Sequence, residues 1–192
     1  MRFSRPPTSE MKRLPAFSLV ELLVVISIVA ILAVVIVPVA RNAQKKGDLA
    51  RCSNNLRNLH VALSNHLQEH GSWPQVPEIL TQQPELYGKW WVEQTEPYGG
   101  TLEAWHCPSL QKQLKDEDFE GPHSKPVIHY AVTHFDANPL TPHKWSTQPW
   151  LMEIADSHGI GNLLIFPDGS VQGSNDAMRR IMGDRPKLPS GK

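Results

Sequence analysis

From Leu22 to Ala40 the chain runs for 19 residues without a charge, and Ser27 is the only polar side chain in that run. Wound as an α-helix, the run spans about 28 Å, close to the roughly 30 Å of a bilayer's hydrocarbon core. Eleven of the 19 residues are Val or Ile, a β-branched content that an ordinary soluble helix tolerates poorly. Beyond Ala40 the apolar positions thin out but keep a helical period. Leu49, Cys52, Leu56, Leu59, Leu63 and Leu67 recur at spacings of three and four, the signature of an amphipathic helix. Gly71 and Pro74 then supply the expected stop. The pattern predicts one long helix from Phe17 to about His70, apolar all round in its first half and one-sided in its second.

After His70 the helical period gives way to short apolar runs. Pro126–Thr133, Trp150–Ala155 and Asn162–Gln172 read as strands, and Asp176–Gly183 as a short C-terminal helix. Within the third run, Phe166-Pro167-Asp168-Gly169-Ser170-Val171 carries a hairpin turn. Thirteen of the 17 prolines lie between Pro74 and Pro189, which predicts turns and short elements there. All six tryptophans, at 73, 90, 91, 105, 145 and 150, share the region. Proline alone would suggest a disordered tail, but six indole rings supply core area. Residues 71–192 therefore read as a small irregular globular domain. Its tryptophans are expected in the core rather than as a sugar-stacking surface, since Trp is usually well buried.

Net charge is zero over the whole chain, so bulk electrostatics give no reason to expect a nucleic-acid partner. Charge is uneven nonetheless. Arg2, Arg5, Lys12 and Arg13 against Glu10 give residues 1–16 a balance of +3, which leaves −3 for the rest. A basic start before an apolar run also describes a secretory signal. That reading wants a shorter apolar stretch of roughly 7–15 residues and a small-x-small cleavage site, and neither is present around Pro38–Ala43. A plain single-span anchor is the other alternative. Arg41, Lys45, Lys46 and Arg51 follow the span closely, so charge counting does not fix its orientation.

Lys12-Arg13-Leu14-Pro15-Ala16-Phe17-Ser18-Leu19-Val20-Glu21-Leu22-Leu23 resembles the leader junction of type IV prepilins and type II secretion pseudopilins. In that family a short basic leader ends in a small residue, followed by Phe, a hydroxyl residue, Leu, any residue and Glu. The resemblance implies cleavage by prepilin peptidase between Ala16 and Phe17, N-methylation of Phe17, and a filament-assembly role for Glu21. Ala16 departs from the family, which usually has Gly there. Pro38 falls where these proteins commonly carry a helix-kinking proline, and its missing amide hydrogen is the physical reason for a bend. The implied fold is α+β, a pilin-like ladle with the long helix laid on a small antiparallel sheet. It divides the chain into a cytoplasmic leader (1–16), a transmembrane or filament-core helix (17–40), an amphipathic continuation (41–70) and an extracytoplasmic head (71–192). The implied product is a structural subunit, not an enzyme, anchored once in the bacterial inner membrane with its head in the periplasm. Its implied partners are prepilin peptidase, other pilin or pseudopilin subunits, the inner-membrane assembly platform and the lipid bilayer. The alternative is an extracytoplasmic enzyme or binding protein using residues 22–40 as an ordinary anchor.

A second resemblance lies further on. Arg51-Cys52-Ser53-Asn54-Asn55-Leu56-Arg57-Asn58-Leu59, then Gly71-Ser72-Trp73-Pro74, then Cys107-Pro108 look like a large bacterial subgroup of pilin-like proteins. That subgroup ends in a His-x9-Asp-Gly motif, a spacing shared here by His158 and Asp168-Gly169.

Candidate chemistry in the head is sparse. Two cysteines, Cys52 and Cys107, are too few for a disulfide framework or a thiolate zinc site. One bridge between them is expected outside the cytoplasm, the alternative being two buried thiols. His66-Leu67-Gln68-Glu69-His70 fits a short metalloprotease pattern but lacks its context, and the same residues continue the apolar seam. His158 and Asp168 could form an acid–base or metal pair. Asp168-Gly169 is more simply a turn, to which His158 is expected to hydrogen-bond. No cofactor is expected. Some pseudopilin heads hold calcium, and Asp156, Asp168 and Asp176 are available oxygen donors, though their spacing matches no known calcium loop.

Overall fold

The computed structural model describes residues 18–116 and 128–182. Two compact units divide at Asn42 and Ala43. A single helix, α1 (Leu19–His70), contributes to both and runs unbroken through Pro38.

In the first unit every described residue is exposed, including Leu22, Val29, Leu32 and Val37. A helix that shows apolar side chains on every face has no stable place in water, so lipid or other helices must cover it. It is long and apolar enough to cross a membrane. In such surroundings a β-branched helix is the economical solution, because all its backbone bonds close within the segment.

In the second unit, α1 buries one stripe. Cys52, Leu56, Leu59 and Leu63 are fully buried and Leu67 nearly so, the spacing that the sequence pattern requires of an amphipathic helix. Against this stripe lies a four-stranded antiparallel meander in the order β1 (Tyr130–Val132), β2 (Leu151–Glu153), β3 (Leu163–Ile165), β4 (Val171–Gly173). Tyr130 pairs with Glu153, Leu151 with Ile165, and Leu163 with Gly173. The strand runs read from sequence locate these strands, each three residues long; β3 and β4 share the third run, which β4 passes by one residue, Gly173. Pro126 and Val127, at the start of the first run, lie outside the described residues.

The β3–β4 hairpin closes as its residues dictate. Gly169 N–H donates to Phe166 C=O at 2.9 Å, and Ser170 N–H donates to the Asp168 carboxylate at 2.9 Å. Gly169 itself sits at φ 76°, a region that a side chain rarely tolerates. The C-terminal helix, α6 (Ser174–Met182), follows directly on β4.

The proline-rich region is more helical than its composition implied. Between α1 and the sheet lie α2 (Glu78–Thr81), α3 (Pro84–Thr95), a 3-10 turn (Glu96–Tyr98) and α4 (Pro108–Asp116), and α5 (Thr141–Lys144) sits between β1 and β2. Pro84 and Pro108 open their helices, and Pro142 falls in the first positions of α5. Proline suits that place, since the first turn has amides to spare and a fixed φ pre-sets the helix. The prolines were expected to mark turns and short elements, and three of them stand at helix starts.

Trp73, Trp91, Trp105 and Trp150 are fully buried in one cluster with the α1 stripe, and Trp90 packs against it. Trp145 is the exception, 51% exposed with the Lys144 ammonium over its ring. A threonine fixes one polar edge of the cluster. Thr95 Oγ1 accepts the Trp105 indole N–H at 3.0 Å and lies 2.9 Å from the Trp91 carbonyl.

Candidate functional site

The residues singled out in the sequence fall into two places. Ala16 and Phe17 lie outside the described residues, so the first place begins at Ser18. There the chain enters α1 through a reciprocal cap. Val20 N–H points to Ser18 Oγ at 3.4 Å, while the Glu21 carboxylate reaches back to accept Ser18 N–H at 2.9 Å. Ser-x-x-Glu is the sequence form of this cap, which satisfies amides that the first helical turn leaves free. It also fixes a carboxylate at the positive end of the helix, where anionic charge is stabilised. Glu21 thus stands at the top of the uncharged run, its carboxylate turned back to Ser18.

The second place is the buried junction of α1, the start of α4 and the end of β2. Cys52 on α1 and Cys107 just before α4 are joined in a disulfide, with Cα atoms 5.1 Å apart. Asn55 positions the incoming loop by donating its amide to the His106 carbonyl at 2.8 Å. His129 Nδ1 lies 3.0 Å from the Cys107 N–H, which it accepts when unprotonated, and 3.3 Å from the Cys107 carbonyl. Burial, with His106 nearby, pushes His129 down to about 4.

His158 meets this disulfide rather than the Asp168-Gly169 turn. Its Nε2 lies 3.5 Å from Cys107 Sγ and 3.6 Å from Glu153 Oε1. Glu153 is wholly buried; Ser157 Oγ–H donates to it at 2.7 Å, and Leu163 N–H points at its other oxygen at 3.4 Å. Burial raises the Glu153 carboxyl above its ordinary value, against those two bonds, and burial lowers His158. The turn finds another histidine. His60 on α1 stacks on Trp150, with ring centroids 4.5 Å apart, and its Nε2 lies 3.1 Å from the Pro167 carbonyl. The expected bond from His158 to the turn is therefore replaced by one from His60, which α1 presents to the hairpin, while His158 is engaged with Cys107 and Glu153.

Glu153 and His129 were not singled out in the sequence, although a signal exists for the first. In Leu151-Met152-Glu153 the outer two residues point inward and Met152 outward, so strand alternation puts a carboxylate at a core position. A buried charge needs a partner or a proton. His129 offers no comparable signal.

Other candidates are engaged elsewhere. His66 is buried on the α1 seam, its ring 4.3 Å from that of His70, and His70 Nε2 meets Tyr98 Oη at 3.0 Å. Asp156 accepts N–H groups from Gly159 at 2.7 Å and Gly161 at 3.0 Å, and Asp176 lies 3.5 Å from Arg179. Asp156, Asp168 and Asp176 sit on three separate segments, after β2, in the hairpin turn and on α6.

The neutral requirement on His129 has a consequence for stability. Its folded pKa lies below its ordinary value of 6.5, so between those limits the unfolded chain binds more protons. Stability therefore falls as pH is lowered from about 6.5 to about 4, by on the order of 3 kcal/mol in full. The raised Glu153 carboxyl works in the opposite sense. Denaturant midpoints at neutral and acid pH, compared between wild type and His129→Asn, isolate the histidine because Glu153 is common to both. A flatter acid limb is expected in the variant, and identical slopes would count against this role.

Residues 11–37 match the family model described as the prokaryotic N-terminal methylation motif. The matched stretch contains the leader junction, Glu21 and most of the uncharged run. No curated protein and no solved structure matches the chain.

Proposed function

We propose that the chain is the precursor of a pilin-like structural subunit, a pseudopilin, cut between Ala16 and Phe17 and assembled into a membrane-anchored filament. The observation that carries this reading is the Glu21 carboxylate, held at the N-terminus of α1 by the Ser18 cap within the matched methylation motif. Such a group at the edge of an apolar span is costly, on the order of 2.5–3.5 kcal/mol at a helix centre. It is retained only with a partner. Cleavage creates one, the ammonium of Phe17, four residues before Glu21 in the sequence, the i and i+4 spacing at which helical side chains meet. Between subunits the same pairing sets the axial register as each helix leaves the bilayer. Processing is by prepilin peptidase, the methyl group goes onto the Phe17 amine, and the head faces the periplasm from a single-pass anchor in the bacterial inner membrane. The partners are then other pilin-like subunits and the assembly platform.

The mass and first residue of the mature protein test this. Mature chains beginning at N-methylated Phe17 are expected, and Ala16→Leu should leave the full precursor in the membrane. Recovery of chains starting near Ala40 or Ala43 would support ordinary signal cleavage. Uncut wild-type precursor in cells with an active prepilin peptidase would support a plain anchor. Either outcome sinks the proposal.

A further inference from the structure

We infer that the side chains around the disulfide form a second, reduced state of the head, in which Cys52, Cys107, His158 and Glu153 hold a zinc-class divalent ion. Their ligating atoms all lie within 4.8 Å of one another. Two of the approaches already match a tetrahedral site. Zn–S and Zn–N bonds of about 2.3 and 2.0–2.1 Å put neighbouring ligand atoms about 3.4–3.8 Å apart. Cys107 Sγ to His158 Nε2 is 3.5 Å, and His158 Nε2 to Glu153 Oε1 is 3.6 Å. What prevents a site in the oxidised protein is the bond between the two sulfurs.

The donor set selects the ion. Two thiolates and an imidazole are soft or borderline ligands, which excludes calcium and magnesium and favours zinc. The surroundings supply what such a site needs. Both cysteines and Glu153 are fully buried, and the His158 side chain is 3% exposed. Ser157 Oγ–H donates to Glu153 Oε1 at 2.7 Å and Leu163 N–H points at Oε2 at 3.4 Å, outer-shell bonds of the kind that orient a ligating carboxylate. An entry path exists as well. A cleft of about 420 Å³ reaches His158 and Ser157 from between α1 and α4.

The change of state balances as follows. A dithiol reductant delivers two electrons and two protons to the Cys52–Cys107 bond, leaving two thiols and the reductant's own disulfide. Zinc then displaces the two thiol protons, which pass to solvent, and forms two Zn–S bonds. Neutral His158 contributes Nε2 and Glu153 one carboxylate oxygen. A disulfide oxidant reverses the sequence: it takes two electrons from the two thiolates and two protons from solvent, becomes a dithiol, and the re-formed Cys52–Cys107 bond releases the ion, so Cys52 ties α1 to the rest of the head in both states, through the disulfide or through the metal.

The test uses the full-length chain in detergent, reduced anaerobically with a dithiol, freed of the reductant and titrated with cobalt(II) and zinc(II). Reduced wild type should bind one ion per chain, show thiolate-to-cobalt charge transfer with the intense visible bands of a tetrahedral centre, and melt at higher temperature with zinc than without. Oxidised wild type should do none of these. His158→Ala and Glu153→Gln, which keep both cysteines, should each weaken zinc binding by roughly tenfold or more. Three results overturn the inference: a reduced, folded chain that binds no cobalt, variants that bind as tightly as wild type, or a reduced chain that unfolds even with equimolar zinc present.

Discussion

Glu21→Gln is expected to leave cleavage and N-methylation intact while lowering incorporation into filaments by a factor of ten or more, given that each 1.4 kcal/mol is about tenfold. The substitution keeps the size of the side chain and an oxygen that can still accept Ser18 N–H, the 2.9 Å bond made by the carboxylate. Helix capping should therefore survive. What disappears is the charge. In a low-dielectric filament core an ammonium left without its counter-ion costs several kcal/mol, and each added subunit meets that cost again. Cleavage is not expected to depend on this pair, because the proposed cut, between Ala16 and Phe17, lies upstream of the cap in the sequence. The measurement compares N-terminal mass with the sheared-filament yield of wild type and variant. Equal yields would reduce Glu21 to an interfacial residue with a capping role.

The second large effect concerns the disulfide. Replacing both Cys52 and Cys107 by Ala should destabilise the head by about 4 kcal/mol, the chain-entropy value for a loop of their 55-residue separation. Alanine leaves no polar group behind in a site that is fully buried, so the measured loss reports the covalent link and a small cavity. The loss should be large in practical terms, since domains of this size have only about 5–15 kcal/mol in total. The sheet cannot compensate, because each of its strands is three residues long. Denaturant unfolding of the oxidised wild type and the double variant decides it. Thiol labelling gives an independent check: denatured, unreduced wild type should show no free thiol, and two per chain would remove the basis of the prediction.

The sequence was most informative where the governing physics is local. The uncharged run, the leucine stripe at helical spacing and the Gly71–Pro74 stop follow from chain periodicity, and α1 has the extent that they require, Leu19–His70 among the described residues. The Pro167-Asp168-Gly169 turn is equally local, since a left-handed glycine and an aspartate bonding two residues on need no distant partner. Proline was local too but read too narrowly. The same fixed φ that makes a turn also starts a helix, and which of the two occurs depends on what the following residues bury. Tyr87 and Trp91 pack on the core from α3, and Leu110 and Leu114 do so from α4.

The membrane-length helix, its buried stripe and the strand–turn–strand order of the head were legible from the chain alone. Only the tertiary structure decided which side chains meet. The His-x9-Asp-Gly spacing points His158 to the turn ten residues downstream, and the fold sends it to Cys107 and Glu153 instead. Cys52, Cys107, Glu153 and His158 come from a helix, a loop, a strand and the segment after it. Their meeting depends on the β1–β2 register, which pairs Tyr130 with Glu153, and on Asn55 holding the 103–106 loop to α1. No periodicity carries that information, because burial sets each residue's face locally, whereas contact between faces is a property of the whole packed core.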